Sequence, residues 1–169
     1  MADTRPEVEL LLCCARISSP SERAAQIRAV LRKEIDCTNL LRTARAHGVI
    51  PLLYWRLSKT CPEAVPTAVL DRLRGDFHAN SLRNLSLTRE LLKLLNLFEA
   101  QGITAIPYKG PALAAFAYGD LALRQFADLD ILVRKHDVLR VKEVFISAGY
   151  RSEYRLTRTQ EAALSSIQT

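Results

Sequence analysis

The chain has 169 residues, of which 49% are apolar and 25% charged, and its 24 basic and 18 acidic side chains leave a net charge of +6. That length supports one good core, or two small subdomains sharing an interface. The composition is that of a globular protein rather than a disordered one. No apolar run approaches the roughly 20 residues that a bilayer-spanning helix requires, so no membrane role is expected.

The first hundred residues carry helical periodicity. Leu10-Leu11-Leu12-Cys13-Cys14-Ala15 is apolar but short, and it follows Asp3, Glu7 and Glu9 where a secretory leader would need positive charge. A cytoplasmic location is the expectation. Ser21-Glu22-Arg23-Ala24 begins a segment with Ala24, Ile27, Val30, Leu31 and Ile35 at helical spacing, and Ser19 or Ser21 offers its N-cap. A second segment passes through Thr38, Leu41, Ala44 and Ala46 and stops near Gly48. Val49-Ile50-Pro51-Leu52-Leu53-Tyr54-Trp55 resumes with Pro51 in a first turn, where its missing N–H would be unpaired anyway. Cys61 to Pro66 is a break, after which Val69, Leu73, Phe77 and Leu82 continue an amphipathic pattern. The strongest helix is predicted from Leu82 to Phe98, with Leu87, Leu91, Leu94, Leu95 and Phe98 in one apolar stripe.

At Gln101-Gly102 the period changes. Gly102 ends the long helix, and Ile103 to Tyr108 reads as a short strand in which Pro107 implies an edge position or a distorted end. Lys109-Gly110-Pro111 opens a small helix, Ala112 to Tyr118, and Gly119-Asp120 is a turn. A second strand follows at Asp128-Leu129-Asp130-Ile131-Leu132-Val133, then a helix from His136 to Ala148 closed by Gly149, a third strand from Tyr150 to Tyr154, and a weakly helical tail from Arg158 to Ile167. This order predicts an α+β fold: a helical amino-terminal part over residues 1–99, then a small mixed β-sheet core with flanking helices over residues 100–169. The four cysteines (Cys13, Cys14, Cys37, Cys61) form no C-x-x-C pair and have no histidine at metal-ligand spacing, so they read as reduced thiols rather than a zinc site.

Chemistry concentrates between Lys109 and Val133. On a strand, Asp128 and Asp130 point to one face, while Leu129, Ile131 and Val133 point to the other. Two carboxylates so placed, with backbones about 7 Å apart, either serve a turn and solvent or share a hard cation such as Mg²⁺. Lys109-Gly110-Pro111 stands where a strand hands over to a helix. The free amides of the first turn and the lysine ammonium make an anion site there, or the segment is a plain turn with an exposed lysine. Arg124 either pairs with Asp120 or Asp128, or grips a phosphate. Together the three features supply the parts of phosphoryl-type transfer.

Tyr108-Lys109-Gly110-Pro111, Tyr118, Arg124, the Asp128 to Val133 run and Ala148-Gly149-Tyr150 resemble the bacterial group of uncharacterised nucleotidyltransferases, within the DNA polymerase β-like nucleotidyltransferase superfamily. His47-Gly48-Val49-Ile50-Pro51-Leu52-Leu53 and the leucine-rich helix fit as well, so the similarity spans about Leu40 to Tyr150. The resemblance implies that Asp128 and Asp130 hold catalytic Mg²⁺ or Mn²⁺, and that Lys109 and Gly110 take the place of the Gly-Ser turn that cradles nucleotide phosphates, with Arg124 in support. It also implies a third carboxylate on a later strand. Glu153 is the one acid on the third strand expected here, and the chain ends at Thr169, so a truncated form of a longer protein is expected.

The function so implied is transfer of NMP from an NTP to a hydroxyl on a small molecule, protein or RNA, with release of pyrophosphate. Alternatives are a catalytically incomplete nucleotide- or partner-binding module of the same fold, and a helical interaction protein. The basic surplus is spread along the chain and tolerates polyanions. No aromatic-plus-basic stripe or groove-reading motif points to single-stranded nucleic acid or duplex DNA.

Overall fold

In the computed structural model the described residues are 5–16 and 19–151. Short-range signals set the ends of the helices. Pro6–Ala15 forms α1 and Pro20–Leu31 forms α2, each with a proline in its first turn. Of the two candidate caps for α2, Ser19 serves: its hydroxyl accepts from the Glu22 N–H, and the Glu22 carboxylate accepts from the Ser19 N–H, both at 3.3 Å. Cys37–Ala46 forms α3, capped by Asp36, whose Oδ1 accepts from the N–H groups of Thr38 at 2.9 Å and Asn39 at 3.0 Å. Gly48, at φ +65°, turns the chain out of α3 and into α4, Ile50–Thr60. A 3-10 turn over Pro62–Ala64 then leads to α5, Thr67–Ala100.

The two amphipathic patterns that meet at Leu82 in the sequence belong to one helix of 34 residues. No proline or glycine stands between Phe77 and Phe98 to interrupt it. Leu82 is 69% exposed, and the buried positions there are Asn80 and Asn84.

The described residues form two compact units, one drawn from Met1–Leu85 and Ala114–Ala127, the other from Ser86–Leu113 and Asp128–Thr169. In the first, α1 packs on α2, α3 and α4. Leu10, Ile27, Leu53, Leu57, Cys61 and Leu73 are wholly buried in its core. Glu7, buried at the edge of this core, accepts from the Asp36 N–H at 2.9 Å and from the Asn39 side-chain amide at 3.4 Å, so its carboxylate is satisfied by the start of α3. All four cysteines are free thiols, and burial pushes that of Cys14 up to about 12.

The second unit contains a two-stranded antiparallel sheet, β1 (Ala105–Pro107) with β2 (Ile131–Val133), in the register Ala105↔Val133, Ile106↔Leu132, Pro107↔Ile131. The first turn of α6 (Gly110–Tyr118) belongs to this unit and begins soon after β1, the rest of the helix being counted with the first unit, and α7 (Val138–Ser147) follows β2 through a 3-10 turn. Leu94, Phe98 and Ile103 are the buried centre, packed by Leu129, Ile131, Val133, Val141, Val144, Phe145 and Tyr150. Phe145 meets Phe98 and Tyr150 edge-on, with ring centroids 5.5 and 5.3 Å apart. Burying Asp137 beneath Arg140, whose guanidinium donates to its Oδ1 at 3.0 Å, ties the start of α7 to itself.

The α+β class therefore holds, with an antiparallel rather than mixed sheet among the described residues. Both strands are shorter than predicted: three residues each, so that Asp128 and Asp130 lie before β2 rather than on it. Tyr150 and Arg151 are in no strand, while Ser152 to Tyr154, Glu153 with them, and the tail from Arg158 to Ile167 lie outside the described residues. No helix among the described residues is long and apolar enough to cross a membrane.

Candidate functional site

Tyr108 to Gly110 runs beside the segment that enters β2. The Tyr108 N–H donates to the Asp130 carbonyl at 2.9 Å, which carries the β1–β2 pairing one step beyond the strands. Leu129, Ile131 and Val133 face the core, and Asp128 is exposed while Asp130 is half-buried. The alternation read from the sequence thus survives in the packing, although the regular ladder starts only at Ile131.

Lys109 Nζ lies 3.9 Å from Asp130 Oδ2, with both side chains about half exposed to solvent. The same ammonium sits 5.4 Å from the Tyr108 ring centroid. An ion pair this open contributes on the order of 0–1 kcal/mol, so the lysine is held near Asp130 without being locked to it. Gly110, buried at φ +54°, is the first residue of α6, and Pro111 follows it in the first turn. An L side chain in this left-handed region is strained, which explains a glycine between Lys109 and Pro111. The structure brings Lys109, Gly110 and Asp130 together in one unit.

Arg124 belongs to the other unit. It follows a 3-10 turn at Leu121–Leu123 whose first N–H groups are gathered by Asp120, which accepts from Ala122 N–H at 2.8 Å. The Arg124 guanidinium lies 5.8 Å from the Phe126 ring centroid. Its backbone is held by residues that the sequence reading passed over. Asn84 donates from Nδ2 to the carbonyls of Leu121 at 2.6 Å and Arg124 at 2.7 Å, and Asn80 donates to those of Ala122 at 3.1 Å and Arg124 at 3.3 Å. The available signal was two asparagines four apart inside an apolar stripe, where a buried amide must have carbonyls to serve.

A strand-to-helix turn carrying a lysine beside a carboxylate, next to a small antiparallel sheet, is the arrangement the chain presents here. The chain belongs to the family described as uncharacterised nucleotidyltransferase, which matches residues 33–166. No curated protein and no solved structure matches it.

Proposed function

We propose that the chain transfers a nucleoside monophosphate from an NTP to a hydroxyl acceptor. The observation that carries this reading is the juxtaposition of the Lys109 ammonium and the Asp130 carboxylate at 3.9 Å, within a chain of the nucleotidyltransferase family. In the reaction the acceptor oxygen forms a bond to the α-phosphorus, the bond from that phosphorus to the β-phosphate oxygen breaks, and pyrophosphate leaves. The acceptor is a small molecule, a protein or an RNA.

Lys109 and the first turn of α6 hold the phosphates, the lysine through its charge and the turn through its N–H groups. Asp128 and Asp130 suit Mg²⁺ or Mn²⁺: they are oxygen donors open to solvent, and Asp130 already has a cationic group beside it in Lys109. Among the described residues no three His, Cys, Asp or Glu gather to cage an ion; Mg²⁺ is commonly held by one or two carboxylates together with substrate phosphates. When bound, the metal offsets the charge that develops on the transferring group. Lys109 then releases Asp130 and engages the phosphates.

The test is release of pyrophosphate and incorporation of labelled nucleotide, with each NTP and Mg²⁺, in wild type, Asp128→Ala and Asp130→Ala. Loss of transfer in both variants is expected; full activity in both eliminates this site. ATP binding measured alongside by calorimetry separates the alternative of a binding module, which binds without releasing pyrophosphate.

A further inference from the structure

The register Ile106↔Leu132 sets two aliphatic side chains next to each other on the sheet, 58% and 53% exposed, while Ile131 and Val133 pack into the core. The Tyr108 N–H bond to the Asp130 carbonyl carries the pairing one step further, so Tyr108, also 58% exposed, and Asp130 stand next on the same outward face. Lys109 and the start of α6 follow directly. In the other direction the next positions are Thr104 and Arg134, both exposed and polar. Exposed apolar residues are ordinary when scattered singly. An apolar row bounded by polar groups on one sheet face marks a place where something binds.

Position says which substrate meets this row. With the leaving phosphates held at the Lys109 turn, the transferring phosphorus lies by Asp128 and Asp130, and an in-line displacement brings the acceptor oxygen in from the opposite side. The Ile106–Leu132 pair is on that side: it lies one pleat, about 7 Å, past the Tyr108–Asp130 row as seen from the turn. The chemistry of the row narrows the acceptor further. Two aliphatic side chains offer neither a cation for a phosphate backbone nor a hydrogen bond for a sugar, and they suit a flat apolar body. A tyrosyl side chain is about one pleat long from its hydroxyl to Cβ, so its ring can rest on Ile106 and Leu132 while its oxygen reaches the acids.

We propose that this face seats the acceptor, and that the acceptor is a phenol of the tyrosyl type, free or within a polypeptide; the inference rests on the transfer reading above and deepens it. In the step the phenol oxygen bonds to the α-phosphorus and its proton passes to solvent. The bond from that phosphorus to the β-phosphate oxygen breaks, and its electron pair leaves with pyrophosphate. A phenol, with a pKa of about 10, gives up its proton more readily than an aliphatic alcohol does.

The test uses the full chain with Mg²⁺, each labelled NTP, and a set of acceptors: N-acetyltyrosinamide, a short peptide containing tyrosine, the same peptide with serine in its place, and a short RNA with a free 3′-hydroxyl. Transfer to the two phenols is expected, with kcat/KM about tenfold or more above that for the serine peptide and the RNA. Ile106→Ser and Leu132→Ser are expected to raise KM for the phenols about tenfold and to leave KM for the NTP unchanged. Leu85→Ser, at an exposed leucine of α5, is expected to change neither. Binding of N-acetyltyrosinamide without nucleotide, followed by ligand-observed NMR, is expected to weaken in the same two face variants, and circular dichroism verifies that they are folded. A higher kcat/KM for the tyrosine peptide than for N-acetyltyrosinamide identifies a polypeptide as the source of the phenol, and the reverse identifies a small molecule. The inference is overturned if the phenols do not bind, if the serine peptide or the RNA accepts as well as they do, or if both face variants match wild type. It is also overturned if sedimentation shows a dimer that Leu132→Ser dissociates, which assigns the face to a second copy of the chain. Phenol binding that the face variants weaken, with no pyrophosphate released from any NTP, refutes the transfer reading and leaves the phenol seat standing.

Discussion

Replacing Asn84 by alanine removes the amide that holds the turn carrying Arg124. Asn84 is wholly buried, and its Nδ2 serves two carbonyls at 2.6 and 2.7 Å. The two carbonyls do not suffer alike. That of Arg124 keeps the longer bond from Asn80 at 3.3 Å, whereas that of Leu121 loses the donor recorded for it. A buried carbonyl left without a donor costs about 1–3 kcal/mol, and partial weakening of the second bond adds roughly another 1 kcal/mol. The sum is about 2–4 kcal/mol, which in a chain of this size lowers Tm by roughly 5–15 °C. Thermal unfolding followed by circular dichroism, with urea unfolding to confirm an unchanged m-value, measures it. Asn96→Ala is the control: that residue is exposed on the same helix and is expected to change stability by no more than about 0.5 kcal/mol. If Asn84→Ala melts within error of Asn96→Ala, the amide clamp does not hold the turn and the reasoning is refuted.

Two glycines are expected to respond in opposite directions to the same substitution. Gly110→Ala places a side chain at φ +54° and is expected to destabilise by about 1–2 kcal/mol, whereas Gly75→Ala, inside α5 with open space around the added Cβ, is expected to stabilise by about 0.5–1 kcal/mol in urea unfolding. The buried Cys14 thiol, pushed from 9.0 up to about 12, binds its proton more tightly in the folded state than in the unfolded chain. Its contribution is therefore complete below pH 9 and lost as pH rises from 9 towards 12, by about 1.4 kcal/mol per pH unit. Urea titrations at pH 8 and pH 10 check this, with Cys14→Ala expected to fall less steeply than wild type; equal slopes would contradict it.

Much of this architecture was legible because its determinants are local. Asp36 beside Thr38 and the Ser19 and Glu22 pair set helix boundaries through hydrogen bonds to near neighbours, and Pro51 and Gly48 set theirs through their own backbone conformations. The Lys109-Gly110 turn was legible for the same reason, since a strand-to-helix junction with a left-handed glycine is encoded by neighbours in the chain. Leu82 misled because hydrophobicity placed it on a buried stripe, whereas at five residues from Phe77 it is turned away from the buried line, which Asn80 and Asn84 continue and whose amides serve distant carbonyls at 121–124.

The amino-acid sequence by itself determined the helices, their caps, the alternation that sends Leu129, Ile131 and Val133 to the core, and membership of a nucleotidyltransferase family. Tertiary structure alone decided that Lys109 stands by Asp130, that the strands shorten to three residues, and that Asn80 and Asn84 hold the Arg124 turn. The physical reason is range. Caps and periodicity act within one or two helical turns, whereas an ion pair between residues twenty-one apart in the chain or an amide forty residues from its carbonyl depends on how the whole unit packs.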